Sequence, residues 1–386
     1  MFRHKLDQLA AHSLTRRLTG LSSATGPTVQ FSGRRVILLS SNDYLGLATH
    51  PEVVQASVEA TQRYGAGAGA SRLVSGTLPP HQELESTIAA FKQTDAALAF
   101  SSGYLANLGV IGCLIGRGGL ILADRLCHAS LIDGCRLSGA TFRVYRHADS
   151  AHVEALLRRR QPGRPTLIVT DGLFSMDGDL APLPELAALA RRYDATLYVD
   201  DAHGTGVMGE TGRGTIEHFA MESAIPFHMG TLGKALGSSG AYVAGPQDLI
   251  DYLINTSRPF IFTTAPPPGA MAAAAAALGV MQHEPDRRAR LWANQRRFSE
   301  GLRRLGFRLT ASVSPILPLL VGTAAQAIAF AEQLLAHGVM APAIRPPTVP
   351  DGTSRIRVTV TSEHTADQLD EALVAFERAG RTAGVL

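Results

Sequence analysis

One lysine of this sequence lies among small residues in a way that suits covalent chemistry. Lys234 occupies the segment 229–240 (MGTLGKALGSSG), where glycine, alanine and serine flank it. A lysine in such surroundings is poorly placed for a surface salt bridge, whereas a flat ligand can approach its ε-amine closely. We therefore predict that Lys234 forms a Schiff base with a carbonyl group of a bound cofactor.

An acid and a histidine precede this lysine at the end of an apolar run. In the segment 197–206 (LYVDDAHGTG) the apolar part ends at Asp200, and His203 follows three residues later. A carboxylate at the C-terminal end of a buried parallel strand points into the crevice where α/β sheets bind ligands. We predict that Asp200 keeps a pyridine nitrogen protonated and that His203 hydrogen-bonds the phenolic oxygen of the same ring. Together with a Schiff-base lysine, these are the groups that pyridoxal 5'-phosphate (PLP) requires.

A candidate phosphate site follows another predicted strand. The segment 101–107 (SSGYLAN) comes after the apolar run 96–100 and opens a predicted helix. The backbone N–H groups and the positive dipole end of a helix N-terminus suit an anion. An ordinary strand-to-helix turn is the alternative for this segment alone, and the downstream Asp200 and Lys234 favour the phosphate of PLP.

Three further polar side chains occupy comparable positions. His128 follows the apolar run 119–123, and a ring at the end of a strand can stack on a pyridine face. Ser175 follows the run 166–170, and Thr231 stands three residues before the candidate lysine. We predict that all three contact the cofactor, and a turn or capping role is the alternative for the two hydroxyls.

Arginines near the C-terminus are candidates for binding a substrate carboxylate. Two prolines follow Arg345 and stiffen the backbone around it. A guanidinium held in this way binds a carboxylate through two parallel hydrogen bonds. Arg355 and Arg357 are two residues apart and therefore share one face of a predicted strand. A solvated face is the alternative to a binding role for these two arginines.

Composition argues against several classes of function. Lys and Arg total 36 against 33 Asp and Glu, which gives a net charge of +3, and no long basic tract occurs. This balance argues against a nucleic-acid-binding protein. Three cysteines without a CxxC pair indicate neither a disulfide framework nor a zinc site. We therefore predict reduced thiols and no bound metal.

The N-terminus and the apolar stretches bear on the location of the protein. The first 21 residues carry charges throughout and lack the apolar core of a signal peptide. The longest apolar stretch, 266–281, is too short for a membrane span. We therefore expect a soluble, cytoplasmic protein that has no membrane partner.

The candidate residues are positioned by alternating strands and helices. We predict strands at 96–100, 119–123, 141–145, 166–170, 197–200 and 240–244. We predict helices at 81–93, 104–115, 151–160 and 182–193. This alternation indicates an α/β fold with a mostly parallel central sheet that is covered on both faces.

Three parts are predicted along the chain. Residues 1–45 read as a helix and short strands, 46–280 as a large α/β domain that binds the cofactor, and 281–386 as a smaller α+β domain. A single long helix over 270–305 is expected to bridge the last two parts.

Six segments of the sequence are similar to a family of PLP enzymes. They are 40–47 (SSNDYLGL), 101–107 (SSGYLAN), 124–130 (DRLCHAS), 174–179 (FSMDGD), 200–206 (DDAHGTG) and 231–240 (TLGKALGSSG). Together they resemble the α-oxoamine synthases, and the similarity extends over residues 5–380. The resemblance implies fold type I of the PLP-dependent transferases, which is aspartate aminotransferase-like.

The resemblance also implies roles for individual residues. The implied catalytic residues are Lys234, His128, Asp200 and His203. The implied cofactor contacts are these four together with Gly103, Tyr104, Ser175 and Thr231. Substrate binding is implied for Arg16, Asn42, His128, Arg345 and Thr348. Thr263 and Thr264 match a pair that reaches the phosphate of the partner subunit, which implies a homodimer with shared sites.

The reaction that the resemblance implies joins an amino acid to an acyl thioester. It is the decarboxylative condensation of L-alanine with a pimeloyl thioester, carried by CoA or by an acyl carrier protein. Condensation of glycine or serine with a different acyl-CoA is the alternative within the family. An aminotransferase or aldolase of the same fold, and a binding protein without activity, are the alternatives outside it. Asp171 departs from the pattern because one branch of the family usually carries glutamate there, and Tyr104 stands where phenylalanine is common.

Overall fold

The chain divides into two units of dense contacts in a computed structural model that describes residues 2–11, 14–16 and 18–386. The small unit consists of Met1–Thr49, Met176–Asp179 and Asp286–Leu386, and the large unit consists of His50–Ser175 and Leu180–Pro285. The domain boundaries at 45 and 280 that we derived from the sequence stay predictions, because they concern independently folding parts of the chain.

The helices and strands are as follows. The helices are α1 Phe2–Ala11, α2 Pro51–Tyr64, α3 Pro79–Lys92, α4 Gly103–Leu114, α5 Ala129–Leu137, α6 Ser150–Arg158, α7 Leu183–Arg192, α8 Thr215–His218, α9 Gln247–Thr256, α10 Arg258–Ile261, α11 Pro268–His283, α12 Asp286–Arg304, α13 Ala324–Ala336 and α14 Ala366–Thr382, with a π-helical turn at Arg72–Gly76. The strands are β1 Thr28–Phe31, β2 Arg34–Leu38, β3 Ala96–Phe100, β4 Leu120–Asp124, β5 Thr141–Tyr145, β6 Thr166–Asp171, β7 Thr196–Asp200, β8 His228–Thr231, β9 Ala241–Gly245, β10 Ile316–Gly322, β11 Val339–Met340, β12 Ala343–Ile344 and β13 Ser354–Thr359.

A seven-stranded sheet organises the large unit, in the order β3-β9-β8-β7-β6-β4-β5. Strand β9 runs antiparallel to both of its neighbours, and the remaining pairs are parallel. The prediction of a mostly parallel α/β sheet is therefore confirmed. Asp171 pairs in register with Asp200, and Asp200 pairs with Met229. The C-terminal ends of β6, β7 and β8 therefore lie side by side.

Strand β7 shows why the sheet is buried on both faces. Tyr198 packs in one apolar core with side chains such as Phe100, whereas Leu197 and Val199 pack in the core on the other face. Successive residues of a strand point to opposite faces, so a strand that is buried on both reads as a continuous apolar run. The run 197–200 is of this kind, and β7 ends at Asp200 as predicted.

The prediction of a single long helix over 270–305 is wrong. Helix α11 ends at His283 and α12 begins at Asp286, so the chain breaks at Glu284 and Pro285. Proline lacks a backbone N–H and disfavours helical geometry in the residue before it. The helical pattern on both sides of Pro285 is real, but it belongs to two helices.

The small unit is α+β, as predicted. It contains two three-stranded sheets, in the orders β1-β2-β11 and β10-β13-β12. Phe298, Phe307, Phe330 and Phe376 pack ring against ring in its core, with ring centroids 5.6 to 6.0 Å apart.

Two sequence expectations concern properties of the whole chain. The three cysteines are free thiols, and Cys127 and Cys135 are buried. Burial raises the pKa of Cys127 well above its usual value and that of Cys135 to about 12, so both stay protonated at neutral pH. Within the described residues, no helix combines the length and the apolarity that crossing a membrane demands.

Candidate active site

Asp200 stands at the end of β7 with both of its oxygens held. Its Oδ1 accepts a hydrogen bond from the backbone N–H of Ala202 at 2.9 Å, and its Oδ2 accepts one from the side-chain amide of Asn107 at 2.7 Å. Only 4% of the residue is exposed. Two donors fix the direction of this buried carboxylate, which is what a partner for a protonated ring nitrogen needs.

The neighbouring Asp201 has a structural task instead. Its carboxylate accepts hydrogen bonds from the backbone N–H of Thr215 at 2.9 Å and from the hydroxyl of the same residue at 2.8 Å. It therefore closes the loop between β7 and α8. Burial raises the pKa of Asp201 to about 6, and the nearby ammonium of Lys92 opposes that shift.

Gly214 gives this loop a testable weak point. Its φ is +115°, and a Cβ built there would lie 1.7 Å from Oδ2 of Asp201. We expect Gly214→Ala to lower the free energy of unfolding by about 3 kcal/mol, because strain and the displaced carboxylate act together. Denaturant titration measures the effect. Gly112→Ala in α4 is the control, since a Cβ there meets no atom within 4 Å. If Gly214→Ala is as stable as the control, Asp201 does not have the structural role described for this loop.

His128 is held from both its backbone and its ring. Its backbone N–H donates to Oδ2 of Asp171 at 2.9 Å, and its ring Nδ1 lies 2.7 Å from Oγ of Ser130. It caps the N-terminus of α5. Burial lowers the pKa of His128, the carboxylate of Asp200 opposes this shift, and the ammonium of Lys234 adds to it.

Lys234 lies in the turn that joins β8 to β9. The backbone carbonyl of Lys234 accepts a hydrogen bond from the N–H of Gly237 at 2.9 Å, and the side chain is half-buried. Burial raises the pKa of Asp171 well above its usual value, Asp200 raises it further, and Lys234 opposes the shift. The charge of the Lys234 amine therefore acts on His128 and on Asp171, which ends β6.

The N-terminus of α4 forms a narrow cradle. A Cβ built on Gly103 would lie 2.8 Å from Cγ2 of Thr231 and 3.2 Å from the methyl group of Met229, so a side chain does not fit there. Ser102 caps the helix by accepting the N–H of Leu105 at 3.2 Å. The first N–H groups of a helix have no carbonyl partner within it, so this end of α4 can bind an anion.

Tyr104 takes part in this cradle through its backbone alone. Its hydroxyl donates to the carboxylate of Asp133, and 42% of the residue is exposed. That hydrogen bond raises the pKa of the Tyr104 hydroxyl. Its side chain therefore reaches Asp133 on α5, and phenylalanine at this position would leave the backbone N–H in the same place.

The remaining predicted cofactor contacts lie on the loops at the same edge of the sheet. His203 is buried in the loop that follows β7. The hydroxyl of Thr231 donates to the carbonyl of Ala202 on that loop at 3.3 Å. Ser175 is half-buried in the segment after β6.

The predicted substrate residues other than His128 belong to the small unit. Arg345 is half-buried and donates through Nη2 to the carbonyl of Thr15 at 2.5 Å. Thr348 is exposed, and its N–H donates to the carbonyl of Arg345 at 3.1 Å. Arg16 is exposed beside Thr15 in the chain. Arg345 therefore contacts Thr348 through its backbone and the residue before Arg16 through its guanidinium, whereas Asn42 bonds to Arg357.

The alternative of a solvated face for Arg355 and Arg357 is wrong, since they are 4% and 5% exposed. Arg355 donates to the carboxylate of Asp177 at 2.5 Å and to the carbonyl of Met176 at 3.1 Å. Both Nη atoms of Arg357 donate to Oδ1 of Asn42 at 3.2 Å. Local spacing places two side chains on one face, but it does not show which distant groups cover that face.

Three buried polar residues that sequence reasoning did not single out complete the site. All three are fully buried. Asn107 and Ser130 connect Asp200 with His128 through hydrogen bonds, and the hydroxyl of Tyr198 donates to Asn107. A signal for one of them was present, because Asn107 is the one polar side chain in the otherwise apolar stretch 105–111.

Comparison with known proteins places this arrangement in context. The family model of aminotransferase class I and II matches residues 34–376. A protein named 8-amino-7-oxononanoate synthase from Geobacter sulfurreducens is 49% identical over 99% of this chain and 98% of its own length. The protein of the same name from Anaeromyxobacter dehalogenans is 51% identical over 96% and 93%. 8-amino-7-oxononanoate synthase 1 of Bacillus subtilis is 45% identical over 99% and 97%.

Solved structures give a consistent picture. A serine palmitoyltransferase from S. paucimobilis, solved with PLP and myriocin bound, superposes with a TM-score of 0.95 at 33% identity and covers 100% of this chain and 98% of that one. The 8-amino-7-oxononanoate synthase from Francisella tularensis superposes with a TM-score of 0.77 at 31% identity, over 90% and 98% of the two chains.

Proposed function

The chain belongs to the aminotransferase class I and II family, and we propose that it is a PLP-dependent acyltransferase that makes 8-amino-7-oxononanoate for biotin biosynthesis. In this reaction L-alanine condenses with a pimeloyl thioester, and CO2 and the free thiol leave. One observation carries the proposal: curated relatives that are 45% to 51% identical over nearly the full length bear this name.

Serine palmitoyltransferase structures similar to this chain contain PLP, and the residues of the large unit fit this cofactor. The cradle at Gly103 excludes a side chain and leaves helix N–H groups for a phosphate. The carboxylate of Asp200, held by two donors, matches a protonated ring nitrogen. His128, His203 and Lys234 would supply the ring contacts and the amine that anchors the cofactor. When bound, PLP acts as an electron sink for the electrons that a broken bond at the α-carbon leaves behind.

The chain's own residues then have distinct tasks. Asp200 would keep a proton on the ring nitrogen of the cofactor, and Asn107 holds that carboxylate in place. The amine of Lys234, once it is free, takes the α-proton of the amino acid and can return it. Two observations support this role: Lys234 follows the end of β8 in the chain, and its charge acts on His128 and Asp171.

Substrate selection is proposed for the residues of the small unit and for His128. The guanidinium of Arg345 would bind the substrate carboxylate, with Arg16, Asn42 and Thr348 as further contacts. We also propose a cytoplasmic homodimer in which Thr263 and Thr264 contact the phosphate of the partner subunit. The carbonyl of Thr264 accepts a hydrogen bond from the hydroxyl of Ser101 at 3.4 Å, so this pair lies next to the phosphate loop of its own subunit.

A second candidate is the condensation of serine with a palmitoyl thioester. The TM-score of 0.95 to a serine palmitoyltransferase favours it, whereas the identity of 33% is well below that of the curated synthases. Glycine with a short acyl-CoA is the third combination in the same reaction class. All three share the residues described above, so the choice depends on the substrates.

Thiol release decides among these candidates. The protein loaded with PLP is incubated with alanine, serine or glycine and with acetyl-, pimeloyl- or palmitoyl-CoA, and the free thiol is followed. We expect alanine with the pimeloyl thioester to exceed every other pair by at least about tenfold in kcat/KM. A pimeloyl carrier protein is tested beside pimeloyl-CoA. Preference for serine and palmitoyl-CoA would overturn the proposal in favour of the second candidate.

A further inference from the structure

A chain of buried hydrogen bonds joins Asp200 to His128 inside the large unit. The amide nitrogen of Asn107 donates to Oδ2 of Asp200 at 2.7 Å and to Oγ of Ser130 at 2.8 Å. That hydroxyl lies 2.7 Å from Nδ1 of His128. At the other end, the hydroxyl of Tyr198 donates to Oδ1 of Asn107 at 2.8 Å. Because Asn107, Ser130 and Tyr198 are fully buried, protein groups must satisfy their polar atoms.

The orientation of the Asn107 amide follows from its neighbours. An ionised carboxylate only accepts hydrogen bonds, so the atom 2.7 Å from Asp200 has to be the amide nitrogen. The reverse orientation would place two acceptors against each other. Burial raises the pKa of Tyr198 well above its usual value, so its hydroxyl keeps the proton that it donates to Oδ1.

The hydroxyl of Ser130 then has one acceptor for its hydrogen bond. The Ser130 oxygen accepts from Asn107, which leaves the hydroxyl hydrogen to point at Nδ1 of His128. The backbone N–H of Ser130 also donates to Nδ1, at 3.3 Å. Two donors therefore meet at Nδ1, and a neutral imidazole that accepts at Nδ1 carries its proton on Nε2.

We propose that Asn107 and Ser130 are positioning residues that hold neutral His128 as the tautomer with its proton on Nε2. The outward nitrogen of His128 is then a hydrogen-bond donor that can polarise a substrate oxygen, and it cannot accept a proton. Abstraction of the α-proton is left to Lys234. The catalytic consequence rests on the proposed function, whereas the tautomer itself does not.

Nuclear magnetic resonance tests the tautomer directly. The full-length protein is labelled with ¹⁵N-histidine, loaded with PLP and studied at about pH 8, where histidine is neutral. Long-range ¹H–¹⁵N spectra show which ring nitrogen bears the proton, and the signals of His128 are those that His128→Asn removes. We expect the proton of His128 to lie on Nε2. A proton on Nδ1 in the wild-type protein would overturn the proposal.

Variants of the two positioning residues test their role. We expect Ser130→Ala to reduce the ratio of the Nε2–H to the Nδ1–H tautomer about tenfold, since a hydrogen bond of this kind contributes about a factor of ten. Asn107→Ala should shift the ratio in the same direction, and Ser130→Thr should restore it. Ser257→Ala is the control, because this serine is equally buried and its hydroxyl lies against Gly109. If the tautomer ratio stays unchanged in both alanine variants, Asn107 and Ser130 do not set the tautomer of His128, and the proposal is overturned.

Turnover measured on the same samples separates this inference from the proposed function. We expect Ser130→Ala to lower kcat for thiol release about tenfold while PLP stays bound, and Ser130→Thr to recover it. If the wild-type protein released no thiol with any pair of substrates, the proposed function would fail, and the tautomer measurement would stand. If kcat fell but the tautomer ratio did not move, Ser130 would have a packing role and the inference would fail.

Discussion

Replacing Lys234 with alanine is expected to lower kcat about 10³- to 10⁵-fold, because one amine serves both as covalent anchor and as proton acceptor. PLP should also dissociate on dialysis, whereas borohydride treatment should fix it to the wild-type chain. Thiol release gives the rate, and mass spectrometry of the reduced protein gives the attachment.

Lys92→Met is the matched control for this variant. The amine of Lys92 is buried in the same unit and donates to Oγ1 of Thr205 at 3.1 Å and to the carbonyl of Arg213. Burial lowers the pKa of Lys92 to about 8, and Asp201 opposes the shift. Its loss should reduce stability but leave PLP attached to Lys234. Attachment that persists in Lys234→Ala would show that another lysine is the anchor.

Replacing Asp200 with asparagine is expected to lower kcat about 10²- to 10⁴-fold while PLP stays bound. A neutral amide cannot keep the ring nitrogen protonated. The two groups that now bond to Asp200, the N–H of Ala202 and the amide of Asn107, are both donors. The NH2 group of an asparagine would face one of them, so that hydrogen bond must break. The absorbance of bound PLP reports occupancy, and single-turnover thiol release reports the chemical step.

Asp201→Asn is the control that shows whether the loss of activity is specific to the carboxylate of Asp200 or follows from removing any buried acid at this strand end. The neighbouring carboxylate holds Thr215 and does not bond to Asn107. We expect this variant to be less stable than the wild type but to keep most of its turnover. Greater loss of kcat in Asp201→Asn than in Asp200→Asn would assign the ring partner to Asp201.

The sequence predicted those parts of the site that depend on local signals. An apolar run that ends in a polar residue placed Asp200 at the end of β7, and the strand ends there. The turn around Gly103 was predicted to open a helix, and α4 begins at this residue. In both cases the pattern and the structure concern neighbouring residues, so no knowledge of the tertiary fold was needed.

The parts that escaped prediction depend on distant partners. Asn107 meets Ser130 and Asp200, which are 23 and 93 residues away in the sequence. The guanidinium of Arg355 is covered by Asp177, 178 residues away. Strand β8 also went unpredicted, because its short sequence contains glycine and its stability comes from pairing with its neighbours.

The two consecutive acids at the end of β7 have a consequence for folding accuracy. Successive residues of an extended chain face opposite ways, and here Asp200 bonds to the helix on one side while Asp201 bonds to the loop that begins α8. A slip of β7 by one residue against β6 would exchange these acids, placing the wrong carboxylate beside Asn107 and turning every apolar side chain of the strand to the other core. Such a misaligned chain could retain much of its secondary structure and still be inactive. The pair therefore makes strand register a condition for activity, and soluble but inactive protein would be the signature of that error.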